Sequence, residues 1–237
     1  MGLEIARRLG SLGHHVVLLD ALTTELDQAA RALQAEGLSA QAMTLDLADD
    51  AQMAALPERL GERFAQLSTL VNNAGISPKH EGRATPAPRI ALDEWERVLR
   101  VNLTAPFRMM QLCLPPMRER RWGRIVNISS RAGRSPGGVA GAAYVASKSG
   151  LLGLTRAFAK ELAAEGITVN AVAPGRIETP MSSSSPPEVL AKVMSTIPVA
   201  RFGTPQEVAA MVAYLASAEA GFVTGATFDI NGGVLMI

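Results

Sequence analysis

The chain has 237 residues, of which 48% are apolar and 19% are charged, and its formal net charge at pH 7 is +1. This size and balance are typical of one soluble domain covering residues 1–237, and the small net charge argues against a nucleic-acid-binding surface. No apolar run reaches the roughly 18 residues of a membrane span, and the single cysteine, Cys113, allows no internal disulfide, so we expect a cytoplasmic protein.

The first half of the chain alternates helical and strand patterns. Apolar periodicity predicts helices over residues 3–12, 23–36 and 49–66 and a long helix from Asp93, with candidate capping boxes at Asp49–Gln52 and Asp93–Glu96. Short apolar runs predict buried strands over residues 16–19, 40–45 and 69–71. The segment 77–90 contains three prolines and is predicted to be a loop.

The second half repeats this alternation. Strands are predicted over residues 124–128, 167–172 and 225–230, and helices over residues 142–164 and from Thr204. The sequence Thr204-Pro205-Gln206-Glu207 combines a capping box with proline at the first helical position. Continuous apolar strands between helices predict an α/β fold, a doubly wound parallel sheet with right-handed crossovers.

Unusual residues stand where the predicted strands end. In doubly wound sheets ligands bind at the carboxyl ends of the strands. Asp20 could accept the hydroxyls of an adenine ribose and repel a 2′-phosphate, which favours NAD over NADP; it could equally be a helix cap. Asp46 and Leu47 end the next strand and could face an adenine. Asn72-Asn73-Ala74-Gly75 could let a cofactor approach the backbone closely or form a simple turn.

Tyr144 and Lys148 stand four residues apart on a predicted helix, so they project from the same face. A free phenol has a pKa near 10, and a neighbouring ammonium favours the phenolate and moves that pKa down. The pair could therefore exchange a proton with a carbonyl or an alcohol. Taken alone, the spacing also fits a solvated lysine beside a half-buried tyrosine. The three histidines are not spaced as metal ligands, and no metal is expected.

Taken together, these motifs resemble the short-chain dehydrogenase/reductase family across residues 2–233. The likeness is carried by Asn72-Asn73-Ala74-Gly75, Asn102, Ser130, Tyr144 with Lys148, and Pro174-Gly175 with Thr179. It implies a Rossmann-like domain that transfers hydride between a nicotinamide and a secondary alcohol or ketone. It also implies a homodimer or homotetramer that pairs the helices bearing Asn102 and Tyr144.

The resemblance implies roles for individual residues. Tyr144 matches the general acid/base, and Lys148 the residue that lowers its pKa and holds the nicotinamide ribose. Ser130 matches the hydroxyl that orients the substrate oxygen, with Ser129 as the neighbouring alternative. Asn102 matches the residue that kinks its helix and seats a water feeding protons to Lys148.

The cofactor-binding residues follow from the strand ends and the resemblance together. Ile177 and Thr179 match the positions that hold the nicotinamide amide, and Gly2 matches the last glycine of the phosphate loop. The full expected set is Gly2, Asp20, Asp46, Leu47, Asn73, Ala74, Gly75, Tyr144, Lys148, Pro174, Gly175, Ile177 and Thr179.

One departure from the family is at the start of the chain. The family begins with a strand and a loop of the form Thr-Gly-x-x-x-Gly-x-Gly, whereas this sequence opens at Met1-Gly2-Leu3-Glu4. The first strand is therefore expected to be absent. About five buried apolar side chains at roughly 1.5–3 kcal/mol each amount to on the order of 10 kcal/mol, against a whole-domain stability of about 5–15 kcal/mol. Either Met1 is an internal residue of a longer natural protein, or the chain is a truncated product that binds cofactor poorly or not at all.

The substrate is less well defined by the sequence. Residues 181–200 match the family's variable lid and are mainly apolar. The second half looks closest to the 3-oxoacyl-[acyl-carrier-protein] reductases, which act on acyl thioesters. Asp20 disagrees with their usual NADPH. Relatives dock the acidic carrier on basic residues; Arg121 fits such a position, but Glu165 stands where a second basic residue is expected. The alternatives are an NAD-dependent sugar, polyol or other secondary-alcohol dehydrogenase, and a pseudoenzyme that acts through its interfaces.

Overall fold

The computed structural model describes residues 1–135, 140–179 and 187–237. Six strands occur within these residues: β1 Val16–Asp20, β2 Ala40–Thr44, β3 Thr69–Asn72, β4 Gly123–Ile128, β5 Ile167–Pro174 and β6 Thr227–Ile230. The α-helices of the same residues are α1 Gly2–Ser11, α2 Thr23–Ala35, α3 Asp50–Ala54, α4 Leu56–Leu60, α5 Leu92–Leu99, α6 Ala105–Arg120, α7 Ala142–Leu162, α8 Pro187–Met194 and α9 Pro205–Leu215.

Every strand pair is parallel, which confirms the predicted doubly wound α/β class. The strands form two sheets, one of β1 and β2 and one in the order β3-β4-β5-β6. Strands β4 and β5 are buried along their whole length, as their continuous apolar runs predict. Helix α1 packs against α9, which ties the start of the chain to the larger sheet.

The two sheets are separated by a cavity of about 1060 Å³, which we call the slot. Strands β1 and β3 both line the slot, and each pairs with a single strand among those that the structure describes. The described residues before β1 contain α1 and no strand, as expected. The prediction that residues 16–19 are buried is wrong: all four are half-buried, because no described strand pairs with β1 on the slot side.

Two predicted helices differ from the structure in their extent or in their capping. The predicted helix over residues 49–66 divides into α3, α4 and a 3₁₀ segment, Gly61–Gln66. Asp49 caps α3 as predicted, but the Gln52 side chain bonds the Asp46 amide and the Asp49 carboxylate, so the reciprocal half of the box is missing. Helix α5 starts at Leu92 without a side-chain cap, so the box at Asp93 is wrong.

Other local predictions are confirmed. Thr204 and Glu207 form both hydrogen bonds of the capping box at the start of α9. The long helix from residue 93 is interrupted by a π-helical turn, Arg100–Thr104, before α6 continues.

No helix among the described residues is both long and apolar enough to cross a membrane. Of the lid expected at 181–200, residues 181–186 lie outside the described residues, and α8 occupies the part that follows.

A polar network crosses the core beneath the sheet edge. Asn72 at the end of β3 donates to the side-chain oxygen of Asn127 on β4 at 2.8 Å. Asn127 in turn donates to the Thr155 hydroxyl on α7 at 3.0 Å. All three residues are buried, so these bonds satisfy groups that would otherwise be costly to bury. The network fixes α7 against β3 and β4.

Candidate active site

Tyr144 and Lys148 lie on the first two turns of α7, beside the carboxyl end of β4. Lys148 is buried, and its Nζ donates to the backbone carbonyl of Ile128 at 2.8 Å. The same Nζ lies 5.8 Å from the centroid of the Tyr144 ring. Helical spacing thus brings the two side chains together as the sequence predicts.

Burial controls the protonation of both groups. It lowers the pKa of the Lys148 ammonium to about 8 and raises the pKa of the Tyr144 phenol. The hydrogen bond between Tyr144 and Ser130 opposes the second effect, but desolvation is the larger influence. The expected lowering of the phenol's pKa by Lys148 is therefore not seen, because the low-dielectric surroundings disfavour the phenolate more than its neighbours favour it.

The two candidate serines have different partners. The Ser130 hydroxyl is hydrogen-bonded to the Tyr144 phenol, and its oxygen also accepts a hydrogen bond from the Ala132 amide at 3.1 Å. The Ser129 hydroxyl donates to the backbone carbonyl of Lys148 at 2.9 Å and is buried. Ser130 is accordingly placed to contact a ligand beside Tyr144, while Ser129 anchors α7.

Asn102 lies in the π-helical turn and is fully buried. Its side-chain oxygen accepts the Ile76 amide at 2.8 Å, and its Nδ2 donates to the Ile76 carbonyl at 2.9 Å and to the Ser147 hydroxyl at 3.1 Å. Ser147 then donates to the Tyr144 carbonyl at 2.8 Å. Asn102 therefore joins the loop after β3 to α7; its seating of a water stays a prediction.

Gly75 provides the space in which Asn102 and Lys148 meet. A Cβ atom at this position would lie 3.2 Å from Lys148 Nζ and 3.3 Å from Asn102 Oδ1. A side chain would therefore crowd both polar atoms. The absence of a side chain at Gly75 therefore has a steric explanation that the turn interpretation alone does not supply.

Most of the other predicted cofactor residues divide between two cavities, whereas Asp46 is among the lining residues of neither. Gly2, Asp20, Leu47, Asn73 and Ala74 line the slot. A second cavity of about 200 Å³, which we call the substrate cavity, has among its lining residues Ser130, Tyr144, Pro174, Gly175, Ile177 and Thr179.

The two acidic candidates are exposed and also stabilise local turns. Asp20 accepts the Leu22 amide at 3.0 Å, and Asp46 accepts the Ala48 amide at 2.8 Å. Each of these turn contacts uses Oδ1 of the carboxylate. The turn function and ligand binding are therefore compatible at both positions.

The start of α1 fits a dinucleotide phosphate. Its N-terminal end has no side-chain cap, so its first amides, at the positive end of the helix dipole, are available to an anion. Met1 lines the substrate cavity and Gly2 lines the slot, so this end of α1 borders both cavities. A Cβ at Gly2 would lie 2.8 Å from Asn73 Nδ2, so a larger residue there would require the Asn73 side chain to shift. With Asp20 at one end and Ile177 at the other, the residues present match an elongated nucleotide.

Several residues around the substrate cavity were missed by the sequence analysis. Ser147 links Asn102 to Tyr144, and three cationic side chains, Lys79, Arg131 and Arg176, line the cavity. Lys79 lies in a proline-containing loop without periodicity, so no pattern indicates its direction. Arg176 directly follows the Pro174-Gly175 motif, which could have drawn attention to it.

Comparisons with known proteins agree with this geometry. A family model described as enoyl-(acyl carrier protein) reductase matches residues 1–235. A 3-oxoacyl-[acyl-carrier-protein] reductase of Pseudomonas aeruginosa is 38% identical over 236 residues, covering 100% of this chain and 93% of the relative.

Two solved structures are similar along almost the whole chain. A 3-oxoacyl-[acyl-carrier protein] reductase from Brucella melitensis with bound NAD has a TM-score of 0.91 and 40% identity, covering 99% of this chain and 86% of that one. A protein from Agrobacterium tumefaciens named as a gluconate dehydrogenase has a TM-score of 0.91 and 30% identity, covering 100% of this chain and 92% of that one.

Proposed function

The chain belongs to the short-chain dehydrogenase/reductase family of oxidoreductases, and we propose that it is an NAD(H)-dependent reductase that interconverts a 3-oxoacyl compound and its secondary alcohol. The observation that carries the proposal is the convergence of Ser130 and Tyr144 on one cavity with Lys148 buried behind them. The similarity to the Pseudomonas and Brucella reductases supports the 3-oxoacyl class.

The chain's own residues bind the carbonyl and move the proton. The hydroxyls of Ser130 and Tyr144 are placed to donate hydrogen bonds to a carbonyl oxygen in the substrate cavity. Tyr144 then gives its proton to that oxygen, and the phenolate is stabilised by Lys148, which is mostly protonated at pH 7 with a pKa of about 8. A nicotinamide cofactor, when bound, would supply the hydride. Burial of the site strengthens each of these interactions.

NAD is the proposed cofactor, because Asp20 is exposed at the end of β1 and lines the slot. A carboxylate there accepts ribose hydroxyls and repels a 2′-phosphate. We expect Asp20→Asn to reduce the preference for NADH over NADPH by about 10–100-fold, since hydrogen bonds to a charged group contribute about 1.5–3 kcal/mol. Calorimetric titration of both cofactors measures the ratio.

Asparagine keeps an oxygen for the Leu22 amide, so this variant should retain the turn. Asp93→Asn, at an exposed carboxylate in α5, serves as the control. An unchanged cofactor ratio in Asp20→Asn would remove Asp20 from the cofactor site.

The reaction itself is tested with acetoacetyl-coenzyme A as the probe. We expect the purified chain to oxidise NADH when this 3-oxoacyl thioester is added, with formation of the 3-hydroxy product measured by mass spectrometry. A folded chain that binds NADH but leaves both acetoacetyl-coenzyme A and acetoacetate unreduced would contradict the proposed function.

A sugar-acid or polyol dehydrogenase is the second candidate. It is favoured by the similarity to the Agrobacterium protein named as a gluconate dehydrogenase. Oxidation of gluconate with NAD, without reduction of 3-oxoacyl probes, would favour it.

For either activity we propose a cytoplasmic homodimer or homotetramer. The exposed apolar side chains of Phe222, Met236 and Ile237 support the oligomeric state.

A further inference from the structure

The substrate cavity carries an excess of positive charge. Lys79, Arg131 and Arg176 line it, whereas no aspartate or glutamate is among its described lining residues. The segments 136–139 and 180–186, which are outside the described residues, contain no charged residue in the sequence. No nearby carboxylate of those segments can therefore balance these cations.

The positive groups are close enough to affect one another. Burial and the neighbouring Arg176 guanidinium both lower the pKa of the Lys79 ammonium. Neither Lys79 nor Arg131 forms an ion pair with any residue in the described part of the chain. Other cations near the site do so: Arg134 lies 3.1 Å from Asp229, and Arg201 lies 2.6 Å from Glu207. Bringing Lys79 and Arg131 into one cavity without a described carboxylate is unfavourable unless an anion joins them.

The cationic residues share their cavity with the catalytic hydroxyls. Ser130 and Tyr144 line the same space of about 200 Å³. At about 30 Å³ for each water in the liquid, that space corresponds to roughly seven waters, which suits a short molecule. An anion bound by Lys79 is therefore within one small ligand's length of the reacting carbonyl.

We propose that the substrate cavity binds a short oxo acid or hydroxy acid whose carboxylate is held by Lys79, with Arg131 and Arg176 contributing to the positive field. This inference rests on the proposed function for the hydride step and narrows its substrate class. A carrier-bound or coenzyme A thioester is neutral at the corresponding carbon, so it lacks the group that these cations attract.

Binding of two matched ketones, acetoacetate and methyl acetoacetate, tests the proposal without turnover. Their dissociation constants from the chain alone are measured by saturation-transfer nuclear magnetic resonance. Acetoacetate should bind at least ten-fold more tightly than its neutral ester, and Lys79→Met should remove that preference. Lys160→Met, at an exposed lysine of α7, should leave it unchanged.

Equal affinities of the two ketones would overturn the proposal, and so would a preference that survives in Lys79→Met. Lys79 lies in a loop, and circular dichroism verifies that its variant is folded. Assays of both ketones with NADH separate the two claims. A retained binding preference without turnover counts against the proposed reductase and supports the anion site. Turnover without a binding preference supports the reductase and overturns the anion site.

Discussion

Replacing Tyr144 by phenylalanine should lower kcat for NADH-linked reduction by about 10²–10⁴-fold, the usual contribution of a positioned general acid. Phenylalanine keeps the ring and its packing on α7 but removes the proton that the carbonyl oxygen needs. It also removes the hydrogen bond with Ser130, so the remaining hydroxyl orients the substrate less well. The loss should appear in kcat rather than in stability.

The chain offers a matched control, because its other tyrosine, Tyr214, lies exposed on α9. Tyr214→Phe should leave kcat within two-fold of wild type, by analogy with other surface substitutions of less than about 0.5 kcal/mol. Thermal unfolding of both variants verifies that the fold is intact. Full turnover in a folded Tyr144→Phe protein would assign the proton transfer to another group.

Replacing Lys148 by methionine should have opposite effects on activity and stability. Turnover should fall by at least about 100-fold, because the phenolate loses the buried ammonium that lies 5.8 Å from the centroid of its ring. Stability at pH 7 should rise by up to about 2 kcal/mol. Charging the buried ammonium costs on the order of 3 kcal/mol, given a pKa lowered from 10.5 to about 8. The lost bond to the Ile128 carbonyl offsets about 1–3 kcal/mol of that gain.

The sign of the pH dependence distinguishes this cause from general repacking. Below pH 8 the wild-type lysine is charged in both folded and unfolded states, so the full penalty applies. Between pH 8 and pH 10.5 the folded protein releases the proton before the unfolded chain does, and wild-type stability rises. The advantage of Lys148→Met in urea unfolding should therefore shrink between pH 7 and pH 10. A constant difference would refute the desolvation argument, and Lys160→Met provides the surface control.

Local patterns in the sequence predicted the elements whose causes are local. The apolar runs of β4 and β5 and the capping box at Thr204 depend on neighbouring residues only. The half-burial of β1 depends on a strand that is not beside it, and no pattern within residues 16–19 contains that information. The position of Asn102 against Ile76 joins residues 26 apart, and only the folded chain explains why the helix is interrupted there.

The site shows the same division. The four-residue spacing predicted that Tyr144 and Lys148 meet, because helical geometry alone requires it. The raised pKa of the phenol was not predicted, since it depends on how much of the ring the rest of the protein buries. Lys79 was missed because a loop side chain takes its direction from tertiary contacts. Sequence thus identified the reacting groups, and the structure revealed the charge that surrounds them.

The slot also affects how the protein opens. Among the described residues, no sheet hydrogen bonds join the β1–β2 pair to β3-β4-β5-β6, so the two parts can act as separate cooperative units in amide hydrogen exchange. Asp20 belongs to the first unit, whereas Tyr144 and Ile177 are attached to the second. A dinucleotide bound by Asp20 at one end and by the larger sheet at the other would couple the two units. Binding at either end would then slow the opening of both units.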